Sequence, residues 1–196
     1  MPAALSNIVL ELPDWLETAL LSMEQTFNSR QARMELVLTL ARHNIERGTG
    51  GPFAAAVFDR DSGLLLAPGV NRVVASRCSV AHAELMALML AQQRLGNHDL
   101  GAPGLPPCEL VTSTEPCAMC LGALPWSGIV SLVCGARGGD ARVIGFDEGD
   151  KPPDWPATLE RRGITVYRDV CGDQARVLLQ DYRDRGGTIY NGRRGR

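Results

Sequence analysis

The sequence predicts an α/β fold of three layers, in which helices cover both faces of a five-stranded mixed sheet. Short apolar runs alternate along the chain with longer segments of helical periodicity, an order typical of such folds. The stretch between the fourth and fifth predicted strands has room for a helical crossover, so these two strands should be parallel. A chain of 196 residues with 45% hydrophobic residues fits a single domain with a packed core.

The first part of the chain predicts two helices and a β-hairpin. Residues 14–27 carry apolar side chains at helical spacing, and residues 35–47 do the same until the glycines within residues 48–51 stop the helix. The apolar run of residues 53–58 is followed by Asp-Arg-Asp-Ser-Gly, residues that favour a turn. Residues 64–74 then resume as a second strand, so the two runs should pair as a hairpin.

The middle of the chain alternates helix and strand. Residues 81–95 predict a helix whose apolar side chains share one face, and Gly96 closes it. Residues 109–113 predict the third strand. Pro116 is then expected to begin another helix, because proline is tolerated at the first helical position.

The last part of the chain contains the crossover and the final helix. Residues 129–136 predict the fourth strand, and residues 137–153 are expected to form a long loop because they are rich in Gly, Asp and Pro. Residues 154–162 predict a short helix, residues 164–170 the fifth strand, and residues 173–185 a final helix.

Two separated motifs point to a metal. They are His82-Ala83-Glu84 and Pro116-Cys117-Ala118-Met119-Cys120. Together they supply one imidazole and two thiolates, which are zinc ligands, and one carboxylate that is left over. Three protein ligands leave the fourth position open, as in catalytic zinc sites, whereas structural zinc sites are usually closed by four. This combination is the signature of zinc-dependent nucleobase deaminases.

The predicted helices bring the ligands and the carboxylate of these motifs to helix N-termini. His82 and Glu84 fall in the first turn of one helix, and Cys117 and Cys120 lie on the same side of another. Two helix N-termini should therefore face one zinc ion, and their dipoles favour thiolates. Glu84 would accept a proton from water, pass it to a ring nitrogen and later protonate the departing amine. The alternative is a structural zinc ion that only joins two helices.

Composition excludes several classes of partner. The net charge of −2 argues against a broad nucleic-acid surface, and the basic cluster of Arg193, Arg194 and Arg196 is expected to be a solvated tail. No apolar run is long enough to cross a bilayer, and residues 1–12 lack the pattern of a signal peptide. We therefore expect a cytoplasmic protein. The cysteines outside the motif are expected to be buried free thiols, namely Cys78, Cys108, Cys134 and Cys171.

The motifs extend into a longer resemblance. From residue 49 to residue 192 the chain resembles the bacterial guanine deaminases of the cytidine-deaminase-like superfamily, some of which also act on the triazine ammeline. The resemblance implies a cytidine-deaminase-like fold and a homodimer. The segments that carry it, besides the two zinc motifs, are Gly51 to Val57, Asn71-Arg72-Val73, Trp126-Ser127-Gly128, Ile144 to Glu148 and Ile189-Tyr190-Asn191.

The same resemblance implies roles for residues outside the zinc motif. Asn71 would hydrogen-bond the edge of the purine, Phe53 and Phe146 would contact its flat ring, and Glu148 would be a second catalytic carboxylate. Ala83 and Asp147 would complete the substrate-binding set, and Tyr190 would close over a site in the same subunit or its neighbour. Ala54 departs from the family, since many members carry Gly there.

Each of these roles has a simpler alternative. Asn71 could be a turn residue that bonds to its own backbone, Phe53 could be plain core, and Glu148 could be solvated in a loop. Glu115 is expected to be an anion at a helix start rather than a catalytic group. Trp126 is expected to pack near a subunit interface.

The prediction for the whole chain is a single deaminase domain. Residues 1–48 would form a helical extension, residues 49–185 the catalytic core and residues 186–196 a tail. The predicted reaction is the zinc-dependent hydrolysis of guanine to xanthine and ammonia. Triazines such as ammeline are a second candidate class of substrate. A cytosine, cytidine or tRNA adenosine deaminase of the same fold is the alternative, and a catalytically idle zinc scaffold is the alternative from another class.

Overall fold

The computed structural model describes residues 8–22 and 24–192, and these residues form one five-stranded mixed sheet between two layers of helices. The predicted three-layer α/β/α fold is confirmed. The strands are β1 (Ala54–Asp59), β2 (Leu65–Val70), β3 (Cys108–Thr114), β4 (Ser131–Ala136) and β5 (Thr165–Tyr167). The helices are α1 (Asp14–Leu21), α2 (Arg30–Glu46), α3 (Ala83–Leu95), α4 (Ala118–Ser127), α5 (Gly138–Val143), α6 (Trp155–Glu160) and α7 (Gly172–Asp184).

The sheet has the order β2-β1-β3-β4-β5. Strands β1 and β2 pair antiparallel, as the predicted hairpin requires, and β3 also runs antiparallel to β1. Strands β3, β4 and β5 are parallel, with Leu132 opposite Val166 in the last pair. The predicted parallel pairing of the fourth and fifth strands is therefore confirmed.

Two N-terminal helices differ in length from their predictions. Helix α1 ends at Leu21 rather than at residue 27, because the chain beyond it pairs with the hairpin: Thr26 forms a β-bridge with Leu64. Helix α2 begins at Arg30 rather than at residue 35, because the Ser29 hydroxyl accepts a hydrogen bond from the Ala32 amide and caps the helix. Apolar periodicity missed this start since the first turn is polar.

Two further boundaries were predicted wrongly. The expected loop of residues 137–153 contains the short helix α5, whose start is stabilised by the Asp140 carboxylate, an acceptor for the Arg137 amide at 2.8 Å. Helix α4 begins at Ala118, so Cys117 is its N-cap and Pro116 lies one residue before the cap. The remaining elements start and end within two residues of their predictions, apart from β2 and β5, which end four and three residues earlier.

The two faces of β1 divide the core. Ala54, Ala56 and Phe58 point toward α2 and α7, whereas Ala55 and Val57 point toward α3, α4 and α6. Because both faces of the sheet are covered, β1 and β3 are mostly apolar or small, and the charged Glu109 of β3 finds its partners inside.

Helix α3 packs against β2 at very short range. A Cβ atom at Gly69 would lie 2.3 Å from the Ala83 carbonyl oxygen and 2.5 Å from the Ala87 amide nitrogen. Only glycine therefore permits this contact. The contact determines where the N-terminus of α3, and with it His82, lies relative to the sheet.

A buried ion pair ties α2 to the sheet. The Glu109 carboxylate on β3 is completely buried and accepts hydrogen bonds from Arg33 Nη1 at 2.6 Å, Arg30 Nε at 3.2 Å and Ser131 Oγ at 2.8 Å. Arg33 also donates to the Phe27 and Arg60 carbonyl oxygens. The carboxylate is thus fully paired, as a buried charge must be.

The four cysteines outside the zinc motif are free, as predicted, although only two of them are buried. Cys108 and Cys134 are buried, whereas Cys78 and Cys171 are half-buried. No helix within the described residues is long and apolar enough to cross a membrane. The predictions for the arginine tail and for residues 1–7 concern residues outside those described.

We predict that Arg33→Met lowers the free energy of unfolding by about 3–5 kcal/mol, because it leaves the Glu109 carboxylate buried beside only the partly exposed Arg30. Urea denaturation measures this change. Arg183→Met is the control, because the pair of Arg183 with Asp184 is exposed and should contribute less than about 1 kcal/mol. Equal losses in the two variants would contradict the assignment.

Candidate active site

The three predicted metal ligands come from two helix starts. His82 is the N-cap of α3 and Cys117 is the N-cap of α4, both with extended backbone (ψ of 152° and 171°). Cys120 lies one turn into α4 and is buried. Strands β2 and β3 flank β1 and both run antiparallel to it, so they end at the same edge of the sheet. The helices that follow them therefore begin side by side.

The geometry of these ligands suits zinc. The His82 Nδ1 atom lies 3.5 Å from Cys117 Sγ and 3.6 Å from Cys120 Sγ, and the three ligand atoms lie within 4.8 Å of one another. A tetrahedral zinc ion with Zn–S of about 2.3 Å and Zn–N of about 2.0–2.1 Å requires an S···N separation of about 3.6 Å. The side chains therefore already stand at the separation that a zinc ion would impose.

The surroundings favour a thiolate at Cys117. Hydrogen bonds from Cys120 and His82 lower the pKa of Cys117 to about 4 against the opposing effect of burial. Its place at the N-terminus of α4 acts in the same direction. A thiolate is the form of cysteine that binds a metal, so the site is arranged to accept a cation.

Glu84 and Glu148 are two buried carboxyl groups beside the ligands. Burial is the main cause that raises the pKa of Glu84, and the nearby Cys117 thiolate adds to it. Burial likewise raises the pKa of Glu148 to about 7, although Lys151 opposes the shift. A raised pKa brings a carboxyl group closer to the range in which it can both accept and release a proton.

A cavity of about 620 Å³ opens onto these groups. Eight of the ten predicted site residues line it: Phe53, Asn71, His82, Glu84, Cys117, Phe146, Asp147 and Glu148. The other two do not border it with their side chains. Cys120 lies fully buried within reach of His82, and Ala83 is fully buried in the core, where its carbonyl group faces Gly69.

Aromatic rings form one wall of the cavity. The Phe53 and Phe146 rings meet edge to face, with centroids 4.9 Å apart, and the Tyr190 ring lies 5.1 Å from Phe146 and 6.5 Å from His82. Tyr190 thus covers the cavity of its own chain. Asn191 holds this segment in place, because its side chain accepts from the Asp147 amide and donates to the Gly145 carbonyl oxygen.

Several polar atoms that line the cavity have no hydrogen-bond partner among the described residues. They are buried, and they belong to Asn71 (Nδ2), Thr114 (Oγ1), Glu148 (Oε2) and Tyr190 (Oη). Buried polar groups are normally paired, so a cluster of unpaired ones around one cavity indicates a polar ligand.

Asn71 is a turn residue that also lines the cavity. Its Oδ1 atom accepts from the Gly51 and Val73 amides, both at 3.4 Å, so it is a turn asparagine. Its Nδ2 atom is unpaired and buried, and the residue lines the cavity. The turn contacts orient the amide so that its donor is available to a ligand.

Glu115 is a structural anion, as expected, but it serves a different helix. Its carboxylate accepts from the Gly138 amide at the start of α5 at 3.0 Å, and also from Arg137 and Arg168. Three donors thus pair with this carboxylate, which joins the end of β3 to the start of α5 and to Arg168. It caps α5 rather than α4.

Sequence reasoning missed two residues at the site. Thr114 was assigned no role, yet it lines the cavity with a buried, unpaired hydroxyl, three residues before Cys117. Lys151 was not singled out, although its ammonium group lies 3.7 Å from the Glu148 carboxylate. A signal was available for Lys151, because it is the only lysine in the sequence.

Comparison with known proteins agrees with this geometry. Residues 27–136 match the cytidine and deoxycytidylate deaminase zinc-binding region. The chain is 37% identical to the guanine deaminase of Bacillus subtilis over 69% of this chain and 82% of that protein. It is also 34% identical to a tRNA-specific adenosine deaminase of Agrobacterium fabrum over 78% of this chain and 93% of that protein.

Solved structures give a higher similarity. A guanine deaminase from Nitrosomonas europaea superimposes with a TM-score of 0.87 at 54% identity, covering 91% of this chain and 97% of that one. A structure of NE0047 in complex with 2,6-diaminopurine has the same TM-score at 55% identity, over 94% of this chain and 97% of that chain. With its zinc-binding region, its fold and its ligand geometry all in agreement, the chain belongs to the guanine deaminases of the cytidine-deaminase-like zinc-binding family.

Proposed function

We propose that this protein hydrolyses guanine to xanthine and ammonia. The observation that carries the proposal is the group of His82, Cys117 and Cys120 at zinc-ligand spacing beside the buried carboxyl group of Glu84, in a cavity with an aromatic wall. The similarity to guanine deaminases from Nitrosomonas europaea and Bacillus subtilis supports guanine as the base.

The zinc ligands would hold the metal that activates water, and Glu84 would transfer protons. When zinc is bound by His82, Cys117 and Cys120, it lowers the pKa of its water to about 7 and so supplies a nucleophile at neutral pH. Glu84 accepts a proton at its carboxylate and delivers it to the ring nitrogen next to the amine-bearing carbon. Glu84 then takes the second proton of the former water, from the hydroxyl now on that carbon, and gives it to the departing amine: the C–N bond breaks, the new C–O bond becomes a carbonyl, and ammonia leaves.

The residues on the cavity wall bind and orient the base. Phe53 and Phe146 provide an apolar surface for the flat ring, and the unpaired Nδ2 of Asn71 offers a donor to an acceptor on the purine edge. Glu148 would accept from the N–H groups of guanine and help in proton transfer. Asp147 lines the cavity beside it, and a contact from Ala83 would come from its backbone.

Other deaminase substrates fit the site less well. A tRNA adenosine deaminase needs a basic path for its polynucleotide, whereas this chain has a net charge of −2 and Tyr190 covers the cavity. Cytosine shares the metal chemistry, but its single ring would satisfy fewer of the unpaired polar atoms. Action on ammeline remains a secondary proposal, because triazines also present amines on an electron-poor ring.

We also propose a homodimer, a single domain with the boundaries given above and a cytoplasmic location. Trp126 at the end of α4 is 82% exposed, and a tryptophan is normally covered by packing. A second copy of this chain would cover it. Light scattering on the purified protein measures the oligomeric state.

The reaction is tested by ammonia release from guanine, guanosine, ammeline, cytosine and adenine by the zinc-loaded protein. We expect release from guanine above all. The variant Glu84→Gln should lower kcat by about 10²- to 10⁴-fold while it keeps its zinc, because it removes the proton carrier alone. Glu35→Gln, at an exposed position on α2, is the matched control. Unchanged kcat in Glu84→Gln would remove Glu84 from the mechanism.

The metal site is tested by elemental analysis. Cys117→Ser should lose zinc and activity together, because a serine hydroxyl does not replace a thiolate as a ligand. Cys171→Ser, outside the site at the start of α7, should keep about one zinc ion per chain. If both variants retained zinc equally, Cys117 would not be a ligand.

The role of Asn71 is tested by Asn71→Asp. This change keeps the oxygen that accepts from the Gly51 and Val73 amides but replaces the donor that faces the cavity. We expect kcat/KM for guanine to fall about 10- to 100-fold. Asn97→Asp is the control, because the Asn97 side-chain oxygen accepts from the Asp99 amide away from the cavity. A loss of stability without a loss of kcat/KM would leave Asn71 a turn residue only.

A further inference from the structure

Lys151 is unusual in both sequence and structure. The chain contains 20 basic residues, of which 19 are arginines and Lys151 is the only lysine. Its side chain is only 7% exposed, although lysine is almost never buried unless it is paired. A chain that uses arginine everywhere else has kept a lysine at one buried position beside the proposed active site.

The ammonium group of Lys151 joins two segments of the site. It donates a hydrogen bond to the Pro116 carbonyl oxygen at 2.9 Å, directly before the ligand Cys117. It also lies 3.7 Å from Glu148 Oε2, which is itself buried. The Ala118 amide donates to the Glu148 carbonyl oxygen at 2.9 Å, so the same two segments meet a second time.

The space around the ammonium group suits a small cation. A Cβ atom at Gly138 would lie 2.8 Å from Lys151 Nζ, 3.5 Å from Glu148 Oε2 and 3.6 Å from Glu115 Oε2. The three charged groups therefore converge where position 138 has no side chain. The Trp155 ring lies on another side, with its centroid 5.7 Å from Nζ. A planar guanidinium is larger than an ammonium group and would crowd this position.

The neighbouring arginines are engaged with other groups. Arg137 and Arg168 pair with Glu115, and Arg142 donates to the Gly149 carbonyl oxygen. In the described part of the chain, Lys151 supplies the one cation within 4 Å of the Glu148 carboxylate. Lys151 is thus the main source of positive charge for Glu148, and the more distant Arg142 contributes less.

We propose that Lys151 is a positioning residue for deamination: its ammonium group holds the Glu148 carboxylate at the cavity and ties it to the start of the helix that carries both cysteine ligands. The proposal rests on the proposed function, in which Glu148 acts on the base. Lys151 itself does not line the cavity, so it acts through Glu148.

The first test is a double-mutant cycle on steady-state guanine deamination. Lys151→Met keeps most of the length of the side chain and removes its charge. We expect kcat to fall about 10- to 100-fold, with KM changed less than about threefold and zinc content unchanged. In a Glu148→Gln background the same change should have almost no further effect, because no carboxylate remains to be held. Arg161→Met, which removes an exposed cation on the neighbouring helix, is the matched control.

Two further measurements apply if Lys151→Met folds poorly. Gly138→Ala leaves both charged residues in the chain but places a methyl group 2.8 Å from Nζ, which must move away, so this variant should also lower kcat. In addition, selective ¹⁵N labelling of lysine gives a single side-chain ammonium signal in NMR, because the sequence has one lysine. Glu148→Gln should shift this signal, and Arg161→Met should not.

The outcomes separate this inference from the proposed function. If the wild-type protein deaminates guanine and Lys151→Met equals it, or if the two changes are additive, the positioning role is wrong and the function stands. If the wild-type protein is inactive on guanine, the function fails. The ammonium signal then still decides whether Lys151 contacts Glu148, and an unchanged signal in Glu148→Gln would overturn the contact.

Discussion

The close contact between α3 and β2 is the constraint on which the site depends. Gly69 allows the backbone of α3 to touch the strand, and this places His82 at the end of the sheet where α4 also begins. The imidazole then meets two thiols at separations of 3.5 and 3.6 Å. A tetrahedral zinc ion requires nearly the same separations, so the scaffold prepares the metal site before the metal binds.

The buried glutamates of this protein differ in how completely they are neutralised. Glu109 is paired by two arginines and a serine, and Glu115 is paired by two arginines and a backbone amide. Among the described residues, Glu148 has one cation within 4 Å, Lys151, and burial raises the pKa of Glu84 although His82 opposes the shift. Full pairing suits a structural charge, whereas incomplete pairing leaves a carboxyl group able to exchange a proton.

The cavity depends on residues from distant parts of the chain. Phe53 precedes β1, Asn71 follows β2, Phe146 follows α5 and Tyr190 lies beyond α7. Each contributes a ring or an unpaired polar atom, and together they surround a space of about 620 Å³. Because Tyr190 folds over its own chain's cavity, residues 190–192 line the site.

The sequence by itself determined the metal chemistry, the order of the elements and the parallel pairing of the last two strands. These properties reside in short contiguous patterns: ligand types at close spacing, apolar periodicity, and a crossover of sufficient length. It predicted α5 as loop and the start of α2 too late, because short or polar helix turns have weak periodicity and depend on caps such as Asp140 and Ser29.

Only the tertiary structure decided which side chains meet at the cavity. Ala83 adjoins two functional residues in sequence but points into the core, since successive helical positions face different directions. Lys151 and Thr114 belong to no recognised motif. Thr114 lines the cavity from the end of β3, and Lys151, in the loop after α5, bonds to the Pro116 carbonyl oxygen next to it. Such contacts arise from packing between segments far apart in the chain, which no local pattern records.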